Sequence, residues 1–379
     1  MMSGKKSFRV AGLCCLSFTG AALAGSGEVI LEGLNSPVGL EADADGVVWV
    51  SEMGIPQTPS DPGLGRVGFM SRNLDGTFTH VPLVENIDVA FNELGEPAGA
   101  HHIAFGSDGS LLLAVGGPNI GPYPNLGSVI RYDPTFGSIV DGPYPVDGAA
   151  TISETPIFPY IVSNGFDDSN VYSVVEVGSD LWIADAGANA VVKLASDGTI
   201  STLAVFPDLV NPKGTNPPVS QTVPTRIIAD GNGGAFVVVL TGYPFVVGNA
   251  TIHRLDAAGN MSEFATGLST LIDVEVAADG SLIVSSAGEF NLAGQPVPFT
   301  GSVSRVRADG SSETLIEDLF LPTGIEIVGE DLWVTSLALG TVTRYSGLAP
   351  QACFGDLNGD GRVDAADLGL LVAAWNACP

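Results

Sequence analysis

Short apolar segments alternate with polar turns along most of the chain, and this pattern repeats. Each repeat consists of a short first strand, a turn that contains Asp or Gly, and a second, strongly apolar strand. The six copies lie at 37–40 and 47–50, 101–105 and 111–115, 172–177 and 181–184, 224–228 and 235–240, 272–276 and 282–285, and 323–327 and 332–334. Apolar runs joined by Asp-Gly turns are typical of β-hairpins.

Further strand pairs follow several copies, for example at 190–194 with 200–206 and at 302–306 with 313–317. Six repeats of four strands predict an all-β fold, a six-bladed β-propeller over residues 25–347. The segment 28–34 contains the run Val29-Ile30-Leu31, and we expect it to complete the last blade as a clasp between the chain ends. Paired β-sandwiches or a β-solenoid are the alternatives, but sandwiches lack a sixfold internal repeat.

Residues 1–24 have the pattern of a secretory signal peptide. Three basic residues precede a short apolar run at 10–23, and Ala22-Leu23-Ala24 is a typical cleavage site. The apolar run is too short to cross about 30 Å of hydrocarbon, which needs about 20 residues. We therefore expect a secreted protein, extracellular or periplasmic, with no transmembrane segment after cleavage.

The charge balance restricts the possible partners. The chain has 14 Lys and Arg against 42 Asp and Glu, a formal net charge of −28. Such a surface argues against nucleic acid and against anionic membranes, since both bind through basic residues. Because 45% of the residues are hydrophobic, the composition is not that of a disordered chain. We expect a monomer.

Segments outside the Asp-Gly turns carry a family resemblance. They lie at 181–189, 199–207, 223–225, 240–248, 264–268 and 321–324. Together they resemble the ScyD/ScyE family, named for proteins of the cyanobacterial scytonemin gene cluster, over roughly residues 27–347. The most specific part is Thr241-Gly242-Tyr243-Pro244-Phe245. The resemblance implies an exported propeller related to NHL and gluconolactonase-like folds, and it implies no particular reaction.

Polar residues near the starts of the first strands are the candidates for a site, because these strands converge on the channel of a propeller. His101 and His102 begin one such strand, and Asn170 and Asp273 lie at two others. Strand alternation directs only one of the two His side chains into the channel. An inward His with Asn170 and Asp273 could hold a divalent metal or act in acid–base catalysis. The alternative is that all four residues fill the channel or satisfy loop backbone groups.

An enzyme is the less favoured hypothesis. Gluconolactonase-like enzymes use a Glu, an Asn and an Asp around a channel metal, whereas the first copy here begins with Pro37-Val38-Gly39. Glu52 follows the second strand, and we expect it at the opposite end. We therefore favour a binding or scaffold protein for an unknown small molecule or a secreted or cell-surface partner. A metal-dependent hydrolase or lactonase remains the alternative.

The C-terminal segment matches an EF-hand-type calcium loop. Its predicted Ca²⁺ ligands are Asp356, Asn358, Asp360, Arg362 through its backbone carbonyl, Asp364 and Asp367. Gly361 permits the sharp turn at the sixth loop position, and 368–375 is the expected exiting helix. The ligand spacing therefore predicts Ca²⁺ as the bound ion.

The same segment resembles half of a type I dockerin repeat. A full dockerin has two such loops, so the single loop here leaves cohesin binding in doubt. We expect residues 348–352 to form a linker and 353–379 to form a calcium-binding attachment or sorting module. Cys353 and Cys378 flank the loop, and in an oxidising compartment we expect them to form a disulfide.

Overall fold

The computed structural model describes residues 27–55, 63–91, 97–117, 125–135, 144–145, 148, 150–351, 355 and 365–373; the predicted signal peptide lies outside this part of the chain. The first strands are β1 (Glu28–Glu32), β2 (Pro37–Ala42), β3 (Val48–Glu52), β4 (Gly65–Arg72), β5 (Phe78–Ile87), β6 (Ala90–Phe91), β7 (Pro97–Ala98), β8 (Ala100–Phe105), β9 (Leu111–Val115), β10 (Ser128–Tyr132), β11 (Tyr144–Pro145), β12 (Thr151–Pro156), β13 (Val171–Val177), β14 (Asp180–Asp185), β15 (Ala190–Leu194) and β16 (Ile200–Val205). The remaining strands are β17 (Leu209–Val210), β18 (Val219–Ser220), β19 (Pro224–Ala229), β20 (Ala235–Val239), β21 (Ala250–Leu255), β22 (Met261–Leu268), β23 (Leu271–Val276), β24 (Leu282–Ser286), β25 (Gly301–Val306), β26 (Ser312–Leu319), β27 (Pro322–Val328), β28 (Asp331–Ser336) and β29 (Thr341–Tyr345).

Six antiparallel sheets form the blades of a propeller, as predicted. In order, the blades are β2–β5, β8–β10 with β12, β13–β16, β19–β22, β23–β26, and β27–β29 with β1. The strand β11 adds a short parallel edge to the first blade. The innermost strands are β2, β8, β13, β19, β23 and β27, and they contact one another in this order and back to β2. We call the face at which these strands begin the mouth face.

The predicted clasp between the chain ends is confirmed. The strand β1 pairs antiparallel with β29 and becomes the outermost strand of the sixth blade. Leu31 of this strand is buried in a core cluster with Val342 and Trp333. The first strand of the ring therefore completes the last blade and leaves no open gap between the two chain ends.

The Asp-Gly turns share one local hydrogen bond. In five of them the Asp Oδ1 accepts a hydrogen bond from the amide two residues later; these residues are Asp75, Asp108, Asp197, Asp279 and Asp309. The Gly that follows each Asp has a positive φ, for example 79° at Gly109. Only Gly adopts such a conformation without a steric cost, so the Asp-Gly pairs mark the hairpin ends.

Hydrogen bonds between side chains and backbone groups link all six blades near the mouth face. They run from Ser51 Oγ to the His101 carbonyl, His101 Nδ1 to the Val171 carbonyl (3.0 Å), the Ile227 amide to Ser173 Oγ (3.2 Å), Thr225 Oγ1 to the Leu271 carbonyl (2.9 Å), Ser285 Oγ to the Thr323 carbonyl (2.7 Å), and Thr323 Oγ1 to the Pro37 carbonyl (2.8 Å). Each innermost strand also has an irregular register close to these links. The ring is thus closed by polar contacts as well as by apolar packing.

Among the described residues, two helices interrupt the all-β pattern. One is α1 (Phe158–Ser163), which joins the second and third blades and carries a Pro in its first turn. The other is α2 (Ala365–Ala373) in the C-terminal segment. Within the described residues, no helix is both long and apolar enough to cross a membrane. In the predicted linker, Ala349 is buried and packs with Leu348 against the core of the last blades.

Candidate functional site

The structure places the four predicted channel residues in two pairs. His101 and Asn170 lie together at the mouth face, where both side chains pack against Gly116. A Cβ added to Gly116 would lie only 2.3 Å from the His101 ring and 2.1 Å from Asn170 Oδ1. His102 and Asp273 lie deeper, with 3.9 Å between His102 Nδ1 and Asp273 Oδ2. Among the described residues, His101, His102 and Asp273 do not come together as a group of three possible metal ligands.

His101 has a structural environment. Its Nδ1 lies 3.0 Å from the Val171 carbonyl of the next blade, and its ring stacks on Tyr172 at a centroid distance of 4.1 Å. Because a carbonyl can only accept, Nδ1 carries the proton and donates. Burial lowers the pKa of His101 to about 4, so the ring stays neutral at pH 7.

Asn170 also has a structural role, because it hydrogen-bonds a backbone amide. Its side-chain Oδ1 accepts a hydrogen bond from the Gly117 amide at 3.2 Å, and its own amide donates to Asp185 Oδ1 at 2.7 Å. Asp185 is fully buried and also accepts from Ser169 Oγ at 2.6 Å. These contacts position the loop that leads into β13.

Asp273 forms a buried ion pair with Arg226. The Arg226 Nε lies 2.9 Å from Asp273 Oδ1, and both side chains are almost fully buried. Asp273 also accepts hydrogen bonds from the amides of Val274 and Ile325, at 2.8 and 2.9 Å. Burial raises the pKa of Asp273 to about 7, and the neighbouring Arg226 charge opposes that rise. His102 faces this ion pair, and burial with the Arg226 charge holds the pKa of His102 well below its usual value.

Arg226 crosses the channel. From the fourth blade its guanidinium donates to the Ile103 carbonyl of the second blade at 2.9 Å. It also pairs with Glu41 of the first blade at 2.5 Å and with Glu275 of the fifth blade at 3.4 Å. A single side chain therefore bridges four blades at the axis of the ring.

Three glutamates that sequence analysis did not select form an acidic cluster in the described part of the channel. Single carboxylate oxygens of Glu41, Glu275 and Glu326 all lie within 4.8 Å of one another. Each Glu is the fifth residue of an innermost strand, β2, β23 or β27, in three consecutive blades. We call these three residues the glutamate layer. A Glu at the fifth position of three innermost strands was the available sequence signal.

Ionisation of the glutamate layer is electrostatically unfavourable despite the nearby Arg226 charge. Burial and then repulsion from Glu326 raise the pKa of Glu275 well above its usual value. Burial and then repulsion from Glu41 raise the pKa of Glu326 to about 8. Glu326 keeps two backbone donors, the amides of Ala42 at 2.9 Å and of Ile327 at 3.1 Å.

The expected location of Glu52 was wrong. Strand β3 runs antiparallel to β2, and the register pairs Glu52 with Pro37, so Glu52 lies at the mouth face. Its carboxylate is fully buried and contacts Arg66 Nε at 2.5 Å and His80 Nδ1 at 2.8 Å. Burial raises the pKa of Glu52, but the hydrogen bonds from His80 and Arg66 outweigh this effect and hold the pKa below its usual value. Glu52 is thus held internally by the Arg66 ion pair and by its contact with His80.

Aromatic and aliphatic side chains form a ledge on the mouth face of the fourth and fifth blades. The loops 240–249 and 287–300 meet there, with the rings of Phe245 and Phe290 at 4.5 Å. The Tyr243 hydroxyl donates to the Leu292 carbonyl at 3.2 Å. Tyr243 is 48% exposed, Val247 59% and Leu292 85%. We call these five residues the aromatic ledge, which is a partly exposed apolar surface.

The predicted calcium loop lies mostly outside the described residues. This applies to Asp356, Asn358, Asp360, Arg362 and Asp364 and to the predicted disulfide between Cys353 and Cys378. Asp367, the last predicted ligand, lies in the first turn of α2 and is 2% exposed. The calcium site, the disulfide and the dockerin-like module therefore stay predictions.

Solved structures similar to this chain are β-propellers of the NHL and gluconolactonase-like type. A gluconolactonase from Xanthomonas campestris is 13% identical, with a TM-score of 0.52 over 86% of this chain and 91% of that chain. A protein of unknown function from Bacteroides thetaiotaomicron is 12% identical, with a TM-score of 0.50 over 85% and 74%. Virginiamycin B lyase from Staphylococcus aureus is 14% identical, with a TM-score of 0.47 over 85% and 98%.

At these identities the similarity shows the fold alone. No protein-family model matches the chain, and no curated protein matches it.

Proposed function

We propose that the protein is an exported β-propeller of the ScyD/ScyE type that binds a small molecule or a secreted or cell-surface partner without converting it. The supporting observation is that the predicted catalytic residues hold the ring together. His101 links two blades, Asn170 binds the Gly117 amide, and Asp273 pairs with Arg226. A metal-dependent lactonase would instead need several of these side chains to converge on one ion.

The aromatic ledge is the binding surface that we propose. Its loop contains Tyr243 and Phe245, which belong to the most specific part of the ScyD/ScyE resemblance. Exposed aromatic faces bind flat apolar groups at a small entropic cost, because their side chains have few rotatable bonds. The strongly negative surface favours neutral or cationic ligands over anionic ones.

Titration with the neutral dye Nile red tests this surface. We expect the double variant Tyr243→Ala with Phe245→Ala to weaken dye binding by at least about tenfold, since a lost buried aromatic contact contributes more than about 1 kcal/mol. Leu74→Ala is the matched control, because Leu74 is fully exposed in a turn of the first blade. Equal dye affinity in both variants would reject the ledge as a binding surface.

The lactonase alternative has its own test on the same protein. Hydrolysis of glucono-δ-lactone, followed by pH-stat with Ca²⁺, Mg²⁺, Mn²⁺ or Zn²⁺, is expected to stay at the buffer rate. Metal-dependent turnover that Asp273→Asn abolishes would overturn the binding proposal in favour of an enzyme.

The second part of the proposal is a calcium-binding attachment or sorting module at 353–379. Its support is the ligand spacing of the predicted loop. Titration calorimetry is the test: the double variant Asp356→Ala with Asp360→Ala should bind one Ca²⁺ fewer than the wild type. An unchanged stoichiometry would mean that the loop binds no calcium.

A further inference from the structure

Basic side chains are concentrated away from the mouth face. In four blades a basic residue of the third strand pairs with an Asp beside the turn that follows the innermost strand; the pairs are Arg131–Asp108, Lys193–Asp180, Arg254–Asp230 and Arg305–Asp279. These turns lie at the ends of the innermost strands that are remote from the mouth face. Much of the positive charge is therefore held, and neutralised, on the opposite face.

Exposed acidic residues border the aromatic ledge instead. Glu289 is exposed and directly precedes Phe290 of the ledge. Asp318 is also exposed, and it lies beside the same loop because Phe320, two residues later, packs its ring 5.5 Å from that of Phe299. The loop 287–300 thus has a carboxylate near each of its two aromatic rings.

A third exposed acid lies on the other side of the ledge. Asp208 directly precedes the hairpin of β17 and β18. Asn211 of this hairpin accepts a hydrogen bond at 3.2 Å from the side chain of Asn249, at the end of the loop 240–249. We call Asp208, Glu289 and Asp318 the acidic rim.

The acidic rim is not neutralised within the described part of the chain. None of its three carboxylates forms an ion pair with a described residue. On the same face, Arg66 contacts the buried Glu52, and the exposed base near the rim is Lys213 in the hairpin of β17 and β18. One Lys against three carboxylates leaves the surroundings of the ledge negative.

The aromatic rings of the ledge form a corner. The rings of Phe245 and Phe290 lie 4.5 Å apart at 30°, whereas the ring of Tyr243 stands at 85° to that of Phe245 at 6.4 Å. The hydrogen bond from the Tyr243 hydroxyl to the Leu292 carbonyl holds this orientation. Ring faces that meet near a right angle can contact one ammonium group from two sides, and such contacts are favourable because the face of the ring is negative.

We propose that the aromatic ledge binds an organic cation, an alkylated ammonium group attached to an apolar body. This inference rests on the binding surface proposed above and adds the charge of its ligand. The ring faces would contact the ammonium, and the exposed side chains of Val247 and Leu292 would contact the apolar body. The acidic rim would raise the local concentration of cations and repel anions.

Three ligands that share a naphthalene ring and differ in charge test the inference by titration calorimetry. They are the cation naphthylmethyl-trimethylammonium, the neutral naphthalenemethanol and the anion naphthaleneacetate. We expect the cation to bind at least about fivefold more tightly than the alcohol, and the anion to bind most weakly. This comparison uses the unaltered protein, so it does not depend on the folding of a variant.

Variants locate the effect on the surface. Tyr243→Ala with Phe245→Ala should weaken binding of the cation at least about tenfold. Glu289→Gln should weaken it at least about twofold and leave the affinity for the alcohol unchanged, because it removes one charge of the rim. Glu263→Gln is the matched control, since Glu263 is an exposed acid of β22 that lies in register with His253, nearer the opposite face.

Three results would overturn the inference. They are equal affinities for the alcohol and the cation, cation binding that is unchanged in the double variant, and equal cation affinities of Glu289→Gln and Glu263→Gln. The Nile red titration separates this inference from the proposed function. Dye binding that depends on Tyr243 and Phe245, without preference for the cation, would leave the ledge as a surface for neutral ligands. If neither the dye nor any naphthyl ligand binds, both proposals are rejected.

Discussion

At the residue scale, His101 shows how a chemically suggestive side chain can have a structural role. It occupies the second position of its innermost strand, the position that Thr225 and Thr323 occupy in two other blades. All three side chains hydrogen-bond the carbonyl of the first residue in the next blade. A neutral imidazole performs the task of a Thr hydroxyl here, because it offers one N–H donor.

His101 gives the stability of the protein a defined pH dependence. Its pKa is about 4 in the folded protein and 6.5 in the unfolded chain, so the unfolded chain binds more protons between these values. Stability from this residue is therefore complete above pH 6.5 and is lost as the pH falls toward 4. We expect the difference in unfolding free energy between pH 7 and pH 5 to shrink by about 2 kcal/mol in His101→Gln.

Urea denaturation at the two pH values measures this difference. The matched control is Thr323→Val, which removes an equivalent link between blades without removing a titratable group. Its pH dependence should equal that of the wild type, while its stability falls by about 1 kcal/mol at both pH values. A His101→Gln protein with the wild-type pH dependence would contradict the assignment of a neutral buried imidazole.

At the element scale, the innermost strands combine close backbone approach with polar links. Gly39 and Gly324 occupy the third position of β2 and β27. The other four blades carry His102, Ser173, Arg226 and Asp273 at this position. A Cβ on Gly324 would lie 2.7 Å from the Val38 carbonyl oxygen. The backbones of the sixth and first blades approach this closely because one of them lacks a side chain at the contact.

Gly324→Ala is expected to destabilise the protein by about 3 kcal/mol, since the clash is with backbone atoms that cannot rotate away. Chemical denaturation of the purified variant measures the loss. Gly369→Ala in α2 serves as the control, because a Cβ there meets nothing within 4 Å. Wild-type stability in Gly324→Ala would show that the two strands can separate at this contact without cost.

At the scale of the whole molecule, stability depends on closing the ring. The two ends of the propeller meet in one sheet, where β1 pairs with β29. Each blade packs its faces against its neighbours, so an open sixth blade would expose apolar surface on both sides of the gap. The clasp therefore couples the first residues of the fold to the last.

Removing the buried contact of the clasp should cost more than removing an exposed one from the same strand. Leu31 is 8% exposed and Val29 is 53% exposed. We expect Leu31→Ala to lower the free energy of unfolding by about 3 kcal/mol and Val29→Ala by less than about 0.5 kcal/mol. Thermal and urea unfolding test this expectation, and equal losses in the two variants would show that β1 does not hold the ring closed.

Much of the architecture could be predicted from the sequence because its causes are local. The alternation of apolar and polar residues set the strands, and the Asp-Gly pairs marked their turns through short hydrogen bonds within a few residues. Counting six repeats and one unpaired strand then predicted both the number of blades and the clasp. These signals depend on residues that are close in the sequence, so they can be recognised without knowledge of tertiary contacts.

The channel chemistry was decided by the tertiary structure. Glu41, Glu275 and Glu326 are far apart in the chain, and they meet only because ring closure places the first blade beside the sixth. Arg226 reaches them from yet another blade. Likewise, the role of His101 became visible only beside the Val171 carbonyl of the next blade. Local patterns determine where a strand begins and ends, whereas the charges that share the axis depend on how six strands converge.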